Sequence, residues 1–219
     1  MIRAGSSREE WLSRETVLGT NWEAAVFQEL SSCLATMQAA KAADCYGLVP
    51  GNHVMQADAE IAYTQSLLGG VKTWVRIPKE QWRKEWTDRC MENPVCPLIR
   101  ALYGHPDAGV YWEKHCEKHL LSSGFVPVKE WRSCYWHGDL KLFLVVYVDD
   151  FKMAAPKDNI PKGWALIRQG VTMGDPEDVA HYLGCTHEIY DRVNPVTGAP
   201  VREMQYNCQE FLEACVQRY

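Results

Sequence analysis

The sequence predicts an α+β fold, and three observations lead to this class. Apolar residues recur at helical spacing in some segments, whereas other segments are apolar runs of strand length. Turn-forming residues separate neighbouring strand candidates, which is typical of antiparallel hairpins. The chain has 219 residues, of which 47% are hydrophobic and 23% charged, and this suits one large domain or two small ones with a buried core.

The first helices are predicted from their capping residues. Ser7-x-x-Glu10 could cap a short helix, so residues 1–20 are expected to form an N-terminal segment that is either disordered or a short helix. Thr20-x-x-Glu23 forms a second capping box, which opens the longest predicted helix. Its apolar residues recur at helical spacing until Gly47 ends the pattern.

Three shorter helices follow in the second half of the chain. One is predicted over residues 108–123, with Asp107 as its cap and Gly124 at its end. A second is predicted over residues 160–169, with a proline near its start, and a third begins with Asn207 as its cap.

The strands are predicted from apolar runs that turn residues interrupt. They fall in residues 53–60 and 72–82, in a hairpin over 134–153, and in a strand–turn–strand unit over 181–208. Residues 85–98 are expected to form a loop and a short strand. The hairpin over 134–153 turns at His137-Gly138-Asp139, and its second strand runs into two adjacent aspartates.

Composition restricts the compartment and the partners. The apolar runs are too short for a transmembrane helix, and the first residues lack the apolar segment of a secretion signal, so an intracellular location is expected. The nine cysteines are odd in number, irregularly spaced and without a CxxC pair, which predicts reduced thiols rather than a disulfide framework. The net charge of −5 lacks the basic excess typical of nucleic-acid-binding proteins.

Asp149 and Asp150 are the most unusual feature of the predicted hairpin. Neighbouring side chains on a regular strand point to opposite faces, but at the bend of a tight hairpin two carboxylates can converge. Paired carboxylates suit a hard cation such as Mg²⁺, and two such ions can clamp a phosphoryl displacement if another carboxylate joins them. Asp58, at the end of a short apolar strand, is a candidate for that carboxylate. The alternative is a solvated turn, in which aspartate is common.

The order of several short motifs resembles the reverse transcriptase domain of copia-type LTR retrotransposon Pol polyproteins. The resemblance extends from Asn21 to Tyr219, and the YVDD motif on its apolar strand is the most specific part. The motifs are, in order, Gln56-Ala57-Asp58 with Ala62-Tyr63, Arg100-Ala101-Leu102-Tyr103-Gly104, the helix after it, Tyr147-Val148-Asp149-Asp150, Tyr182-Leu183-Gly184 with Glu188-Ile189, and residues 205–219.

The resemblance implies a right-handed palm over residues 21–219, with partial fingers and the start of the following connection. It implies two Mg²⁺ ions, or Mn²⁺, held by the catalytic residues Asp58, Asp149 and Asp150. The implied partners are an RNA or DNA template with a primer, and deoxynucleoside triphosphates. They also include the integrase and ribonuclease H of the polyprotein, and the implied location is the cytoplasm or virus-like particles.

The resemblance also assigns roles around the metal site. Ala62 and Tyr63 would contact the incoming nucleotide, with the Tyr63 ring excluding a ribose 2′-hydroxyl, although Tyr63 could equally be a core aromatic residue. Tyr103 and Gly104 would lie against the templating pair. On the primer side, the expected residues are Tyr147, Leu183 and Gly184.

Two departures from the family pattern support an alternative to an active polymerase. After Gly104, the expected lysine is absent and Asp107 is present, and the lysine-rich fingers hairpin that grips a triphosphate is missing from residues 1–20. The chain is therefore also interpreted as a polyprotein fragment with truncated fingers. In that case it could be a catalytically inactive palm that serves as a structural or interaction module.

Two further residue pairs have a functional and a structural interpretation. His115 and His119 share a helix face and invite a zinc site, but no third ligand is evident, so solvated helix histidines are favoured. Arg83 and Lys84 lie between Trp82 and Trp86, and aromatic and basic residues together can bind single-stranded nucleic acid by stacking. A packed face is favoured for this pair as well.

Overall fold

A computed structural model of the chain describes residues 18–19 and 35–218. These residues form helices and strands joined by short connections, with single 3₁₀ turns at Lys79–Gln81 and Lys157–Asn159. In chain order, the elements are β1 (Leu18–Gly19), α1 (Met37–Leu48), β2 (Asn52–Asp58), α2 (Ala62–Gln65), β3 (Trp74–Arg76), α3 (Lys84–Asp88), β4 (Val95–Pro97), α4 (Ala108–Ser122), β5 (Val126–Pro127), β6 (Cys134–His137), β7 (Leu142–Tyr147), β8 (Asp150–Pro156), α5 (Ile160–Ile167), β9 (Glu177–Asp178), β10 (His181–Tyr182), β11 (Cys185–Val193), β12 (Pro200–Asn207) and α6 (Gln209–Gln217).

A six-stranded antiparallel sheet forms the centre of the fold, in the order β5-β6-β7-β8-β2-β9. The strands β6, β7 and β8 follow one another as hairpins, because each apolar run is interrupted only by a short turn. Strand β2 comes from much earlier in the chain and lies between β8 and β9. The predicted α+β class, with antiparallel strands packed on helices, is therefore confirmed.

Helices α4 and α5 cover one face of this sheet. Four of the five buried residues of α4 recur every four positions, from Ala108 to Leu120, and those of α5 follow a similar helical period, so each helix presents one apolar stripe. They pack on alternate residues of β7 and β8, since successive side chains of a strand point to opposite faces. The main contributors to this layer are Trp112, Cys116, Leu120, Ile160, Trp164, Ile167, Leu142, Leu144, Phe151 and Met153.

Helix α1 and a second sheet cover the opposite face. Ala39, Ala40 and Ala43 of α1 are almost fully buried, and their small side chains allow the helix to approach the sheet closely. The second sheet has the antiparallel order β10-β11-β12. It contributes Tyr182 and, from β12, Met204 to the same apolar layer.

A third sheet, in the antiparallel order β1-β3-β4, is small. The residues of β3 and β4 are exposed or half-buried. Helix α3 lies between these two strands in the sequence, where a loop was predicted. The prediction of a loop was therefore wrong over residues 85–88, whereas the short strand of this segment is confirmed.

The long helix predicted from residue 21 to Gly47 is wrong as a continuous element. Ala35 and Thr36 are not helical, and α1 begins at Met37. The Thr36 Oγ1 atom accepts a hydrogen bond from the Ala39 backbone N–H at 3.2 Å, which satisfies a donor at the helix start. Residues 1–17 and 20–34, with both predicted capping boxes, lie outside the described residues, and Leu18–Gly19 form a strand.

Two of the predicted helix caps differ in detail. Asp107 stands at the N-cap position of α4, but its side chain makes no capping hydrogen bond. Asn207 lies one residue before the N-cap of α6, which is Cys208, and the Asn207 Oδ1 atom accepts from the Gln209 N–H at 2.9 Å.

Among residues 18–19 and 35–218, no helix combines the length and apolar character needed to cross a membrane.

Candidate acidic site at one end of the central sheet

Asp58 and Asp150 lie directly opposite each other in the central sheet. Asp58 is the last residue of β2 and Asp150 is the first of β8, and the antiparallel register pairs them. Residues in this relation project their side chains to the same face, with Cβ atoms about 5 Å apart. Two carboxylates that are far apart in the sequence therefore stand side by side at one end of the sheet.

Asp149 belongs to the turn that joins β7 to β8, rather than to the second strand as the sequence suggested. Tyr147 pairs with Asp150, so Val148 and Asp149 form a two-residue turn. Val148 has a φ of 56°, which is unusual for a β-branched residue and stores strain of roughly 1–3 kcal/mol. Because Asp149 lies in the bend, its side chain does not follow the alternation of strand residues. Two neighbouring carboxylates can converge only where this alternation is interrupted.

Two hydrogen bonds hold this turn in place. The indole Nε1–H of the buried Trp112 donates to the Val148 carbonyl at 2.7 Å, and so joins the turn to α4. The Ala59 N–H donates to the Asp149 carbonyl at 2.7 Å, and so joins it to the end of β2. The turn is therefore fixed by elements on both of its sides, which explains how a strained backbone persists there.

The donor chemistry of the three aspartates suits a hard divalent cation. All three carry oxygen ligands; Asp58 is exposed, and Asp149 and Asp150 are half-buried, so their carboxylates remain accessible to a hydrated ion. Within the described residues, however, no three side chains of His, Cys, Asp or Glu are grouped closely enough to hold a metal ion. The register thus brings the aspartate backbones together, while the side chains do not form a closed ligand set.

Tyr63 lies beside the acidic turn, with Tyr103 against it. Their ring centroids are 4.4 Å apart. Burial raises the pKa of the Tyr63 phenol, and the nearby Tyr103 and the negative charge of Asp149 raise it further. Two predicted nucleotide-binding tyrosines are thus brought together next to Asp149, and Ala62, on the same short helix α2, is completely buried beneath them.

The loop after Tyr103 is held by a buried histidine. Gly104 has a φ of 90°, and His105 follows it with only 6% of its surface exposed. The Asp107 N–H donates to His105 Nδ1 at 3.1 Å, so the other ring nitrogen, Nε2, carries the proton and lies 3.2 Å from Thr73 Oγ1. This histidine therefore packs the loop at the place where the sequence departs from the family pattern.

The residues predicted on the primer side lie in two neighbouring turns. Tyr147 ends β7, and Leu183 and Gly184 form the turn between β10 and β11, both with positive φ. Tyr182, the residue before the second of these turns, is buried. Burial raises the pKa of its phenol, and the charge of Asp150 raises it further, so Tyr182 stands close to the acidic site.

A buried ionic cluster was missed by the sequence analysis. Lys152 is completely buried, two residues after Asp150 on the same face of β8, and its Nζ atom donates to Asp44 Oδ1 and Oδ2 at 2.9 and 3.1 Å. The Tyr206 hydroxyl donates to Asp44 Oδ2 at 3.0 Å. The ammonium group also lies 4.0 Å from the centroid of the Tyr182 ring. The available signal was a lysine inside the otherwise apolar run of a central strand.

His187 completes this cluster. Its Nδ1 atom lies 3.0 Å from the Cys185 carbonyl, which can only accept, so Nδ1 carries the proton. The other nitrogen, Nε2, lies 3.5 Å from the Lys152 Nζ atom and 3.7 Å from Asp44 Oδ2. Asp44 from α1, Lys152 from β8, and His187 and Tyr206 from the second sheet thus meet in one network, next to Asp150 on the same face of the central sheet.

The two histidines of α4 make packing contacts. The Nε2 atom of His115 lies 3.3 Å from the Gly170 carbonyl, and that of His119 lies 3.0 Å from the Leu166 carbonyl. Both rings are half-buried against the C-terminal end of α5 rather than solvated. Cys116 is buried in the core layer, where burial raises the pKa of its thiol. We interpret these histidines as contacts that attach α4 to α5.

The two tryptophans of residues 82–86 do not share one helix. Trp82 precedes α3, and its Nε1–H donates to the Ile77 carbonyl at 2.8 Å, whereas Trp86 lies within α3. Both are half-buried, and Lys79 and Arg83 lie over their respective rings. This arrangement agrees with the packed interpretation of the pair.

No model of a known protein family matches this sequence, and no curated protein matches it.

Proposed function

We propose that this chain is the RNA-directed DNA polymerase, or reverse transcriptase, domain of a copia-type retrotransposon polyprotein. It would be built on a right-handed palm, with the central sheet as the palm and the small sheet of β1, β3 and β4 as partial fingers. The observation that carries the proposal is the register of β2 and β8, which pairs Asp58 with Asp150 beside the turn residue Asp149. This arrangement and the motif order of the sequence together are the basis for assigning the reaction.

The three aspartates would hold two Mg²⁺ ions, or Mn²⁺. When bound, such ions activate a primer 3′-hydroxyl and neutralise charge on the departing pyrophosphate. Trp112 and Ala59 contribute by fixing the turn that carries Asp149, because a carboxylate that moves by an ångström loses its alignment.

The tyrosines beside the turn would orient the incoming deoxynucleoside triphosphate. Tyr63 lies close to Asp149 and is supported from the side by the Tyr103 ring. A ring in this position would contact the sugar and exclude a 2′-hydroxyl. The template and primer would lie across the same end of the sheet, with Tyr147 and the Leu183–Gly184 turn on the primer side. The integrase and ribonuclease H of the polyprotein would be further partners, in the cytoplasm or in virus-like particles.

The alternative function is that of a catalytically inactive palm acting as a structural or interaction module. One observation favours it: within the described residues, the acidic side chains are not grouped closely enough to form a three-ligand metal site. The net charge of −5 agrees with it, because duplex binding relies on basic groups.

A primer-extension assay on an RNA template tests the proposal. The full chain, with Mg²⁺ or Mn²⁺ and deoxynucleoside triphosphates, is expected to extend the primer, and Asp149→Asn is expected to reduce the rate at least 100-fold, because a metal-ligating charge is lost. Asp139→Asn is the matched control, since Asp139 is exposed in the turn at the opposite end of β7.

Two outcomes separate the proposed function from its alternative. Extension by the wild-type chain and by Asp139→Asn, but not by Asp149→Asn, supports the polymerase. Equal background signals from all three proteins would reject it. In that case, the affinity for a primer–template duplex at about 50 and 200 mM salt distinguishes the alternatives further: a steep salt dependence argues against a module without nucleic-acid contacts.

A further inference from the structure

Two cysteines meet at the base of the hairpin formed by β11 and β12. The register pairs Thr186 with Asn207, so Cys185 and Cys208 are the next residues outward on the two strands. Their sulfur atoms are 2.9 Å apart and share a hydrogen bond, although the residues are 23 positions apart in the sequence. The fold alone therefore creates this pair, since no spacing pattern indicates it.

Among the other cysteines of the described residues, Cys96 and Cys215 are also half-buried. Cys116 and Cys134 are buried, and burial raises the pKa of each thiol, that of Cys134 to about 11. Cys45 and Cys90 are exposed. Cys185 and Cys208 are half-buried, so a small oxidant can reach them while the strands keep their sulfur atoms together.

The surroundings raise the pKa of Cys185 above its ordinary value, and two nearby lysines offset part of this rise. The hydrogen bond with Cys208 raises the pKa of Cys185, and burial acts in the same direction. The ammonium groups of Lys41 and Lys152 oppose both effects, because positive charge stabilises a thiolate.

We propose that Cys185 and Cys208 are a redox modification site that forms a reversible disulfide bond, with a small disulfide such as oxidised glutathione as the oxidant. One cysteine thiolate attacks a glutathione sulfur, forms a mixed disulfide and releases the first glutathione thiolate. The second cysteine, after losing its proton, attacks the mixed disulfide, forms the internal bond and releases the second glutathione thiolate. Two protein thiols are oxidised and one glutathione disulfide is reduced.

The bond would connect the Leu183–Gly184 turn to α6. Cys185 follows the Leu183–Gly184 turn, and its carbonyl accepts the hydrogen bond from His187 in the buried cluster. Cys208 is the N-cap of α6, whose Phe211 ring packs against Gly184 so closely that an added Cβ there would lie 3.2 Å from it. Oxidation therefore restrains the turn from both of its sides.

The site is tested by mass spectrometry of the full chain, without any measurement of polymerase activity. The chain is purified with a reductant and then incubated with oxidised glutathione. We expect a mass loss of about 2 Da, a crosslinked peptide that joins Cys185 to Cys208, and an increase in the thermal unfolding midpoint of roughly 5–10 °C that dithiothreitol reverses.

Substitutions assign the effect to this pair. Cys185→Ser and Cys208→Ser should each abolish the crosslink and the midpoint shift, whereas the exposed control Cys90→Ser should keep both. Wild-type protein that forms only glutathione adducts, or crosslinks between other cysteines, would overturn the assignment. None of these measurements depends on nucleotide transfer. The redox site can therefore be rejected while the polymerase function is supported, and the polymerase function can be rejected while the redox site is supported.

Discussion

At the scale of single residues, the buried pair of Asp44 and Lys152 is the most demanding feature of the molecule. Two charges have been removed from water, and such a removal costs several kcal/mol for each ion unless partners compensate for it. Here each ion has several partners. Asp44 accepts from Lys152 and from the Tyr206 hydroxyl, and Lys152 also contacts His187 and the Tyr182 ring. The pair consequently depends on α1, on β8 and on the second sheet, which supply its two members and their partners.

Replacement of Lys152 by methionine should lower the free energy of unfolding by about 3–5 kcal/mol, because Asp44 would remain buried without its counter-charge. Urea unfolding measures this change. Lys157→Met is the matched control, since Lys157 is exposed just beyond the end of the same strand, and its effect should stay within about 0.5 kcal/mol. A loss below about 1 kcal/mol for Lys152→Met would contradict the prediction.

The same pair should make stability depend on acid pH. Burial acts to raise the pKa of the Asp44 carboxyl, but contacts with His187 and the charge of Lys152 outweigh it and lower that pKa. A carboxyl with a lowered folded-state pKa contributes stability above its ordinary pKa, about 4, and loses this contribution as the pH falls through the lower folded value.

As the pH falls below about 4, the wild-type chain should therefore lose stability more steeply than the double variant Asp44→Leu/Lys152→Met, which lacks the titrating group. Urea unfolding at a series of pH values provides the comparison. Parallel pH profiles for the two proteins would show that Asp44 does not carry the effect.

At the scale of secondary structure elements, the contact of α5 with the central sheet depends on a glycine. Gly163 is buried, and a Cβ added there would lie 2.5 Å from Met153 Sδ and 2.8 Å from Leu142 Cδ1. Glycine is a poor helix former, so its presence in the middle of α5 is explained by close packing and not by helix propensity.

The sign of the Gly163→Ala effect separates these two influences. Helix propensity alone would stabilise the protein by about 1 kcal/mol, whereas overpacking should destabilise it by about 1–3 kcal/mol, and we expect the loss. The matched control is Ala165→Gly on the exposed side of the same helix, which should cost about 1 kcal/mol. A gain in the urea midpoint for Gly163→Ala would contradict the packing argument.

At the scale of the whole molecule, one sheet supports two apolar layers. Leu144 and Val145 are adjacent on β7 and completely buried, but they belong to opposite layers. Because β2, β7 and β8 contribute to both layers, loss of one layer removes the support of the other. The central sheet and the helices that cover it should therefore unfold together.

Leu144→Ala should lower the free energy of unfolding by about 2–5 kcal/mol, and Val145→Ala should lower it by a similar or slightly smaller amount. In both variants, tryptophan fluorescence and far-ultraviolet circular dichroism should follow a single transition with one common midpoint. Separate midpoints for the two signals in either variant would show that the layers unfold independently.

Local sequence determined much of the secondary structure and part of the acidic site. The helix α4, the hairpin of β6 and β7, and the strand–turn–strand of β11 and β12 follow from periodicity and turn residues, which are properties of neighbouring positions. The turn between β7 and β8 was not predicted as a break in the second strand, although a bend at the two aspartates was one geometry considered for them. Helix α1 was predicted too long, because capping by Thr36 interrupts a pattern that periodicity alone would extend.

Only the tertiary structure decided which distant residues meet. From the residues alone, Asp58 was one surface carboxylate among many, and its expected place beside Asp149 and Asp150 came from a resemblance. The pairing of β2 with β8 brings Asp58 opposite Asp150. The burial of Lys152 against Asp44 and the contact between Cys185 and Cys208 were not foreseen, because strand order, register and helix docking are set by the packing of the whole core, and short sequence patterns do not encode them.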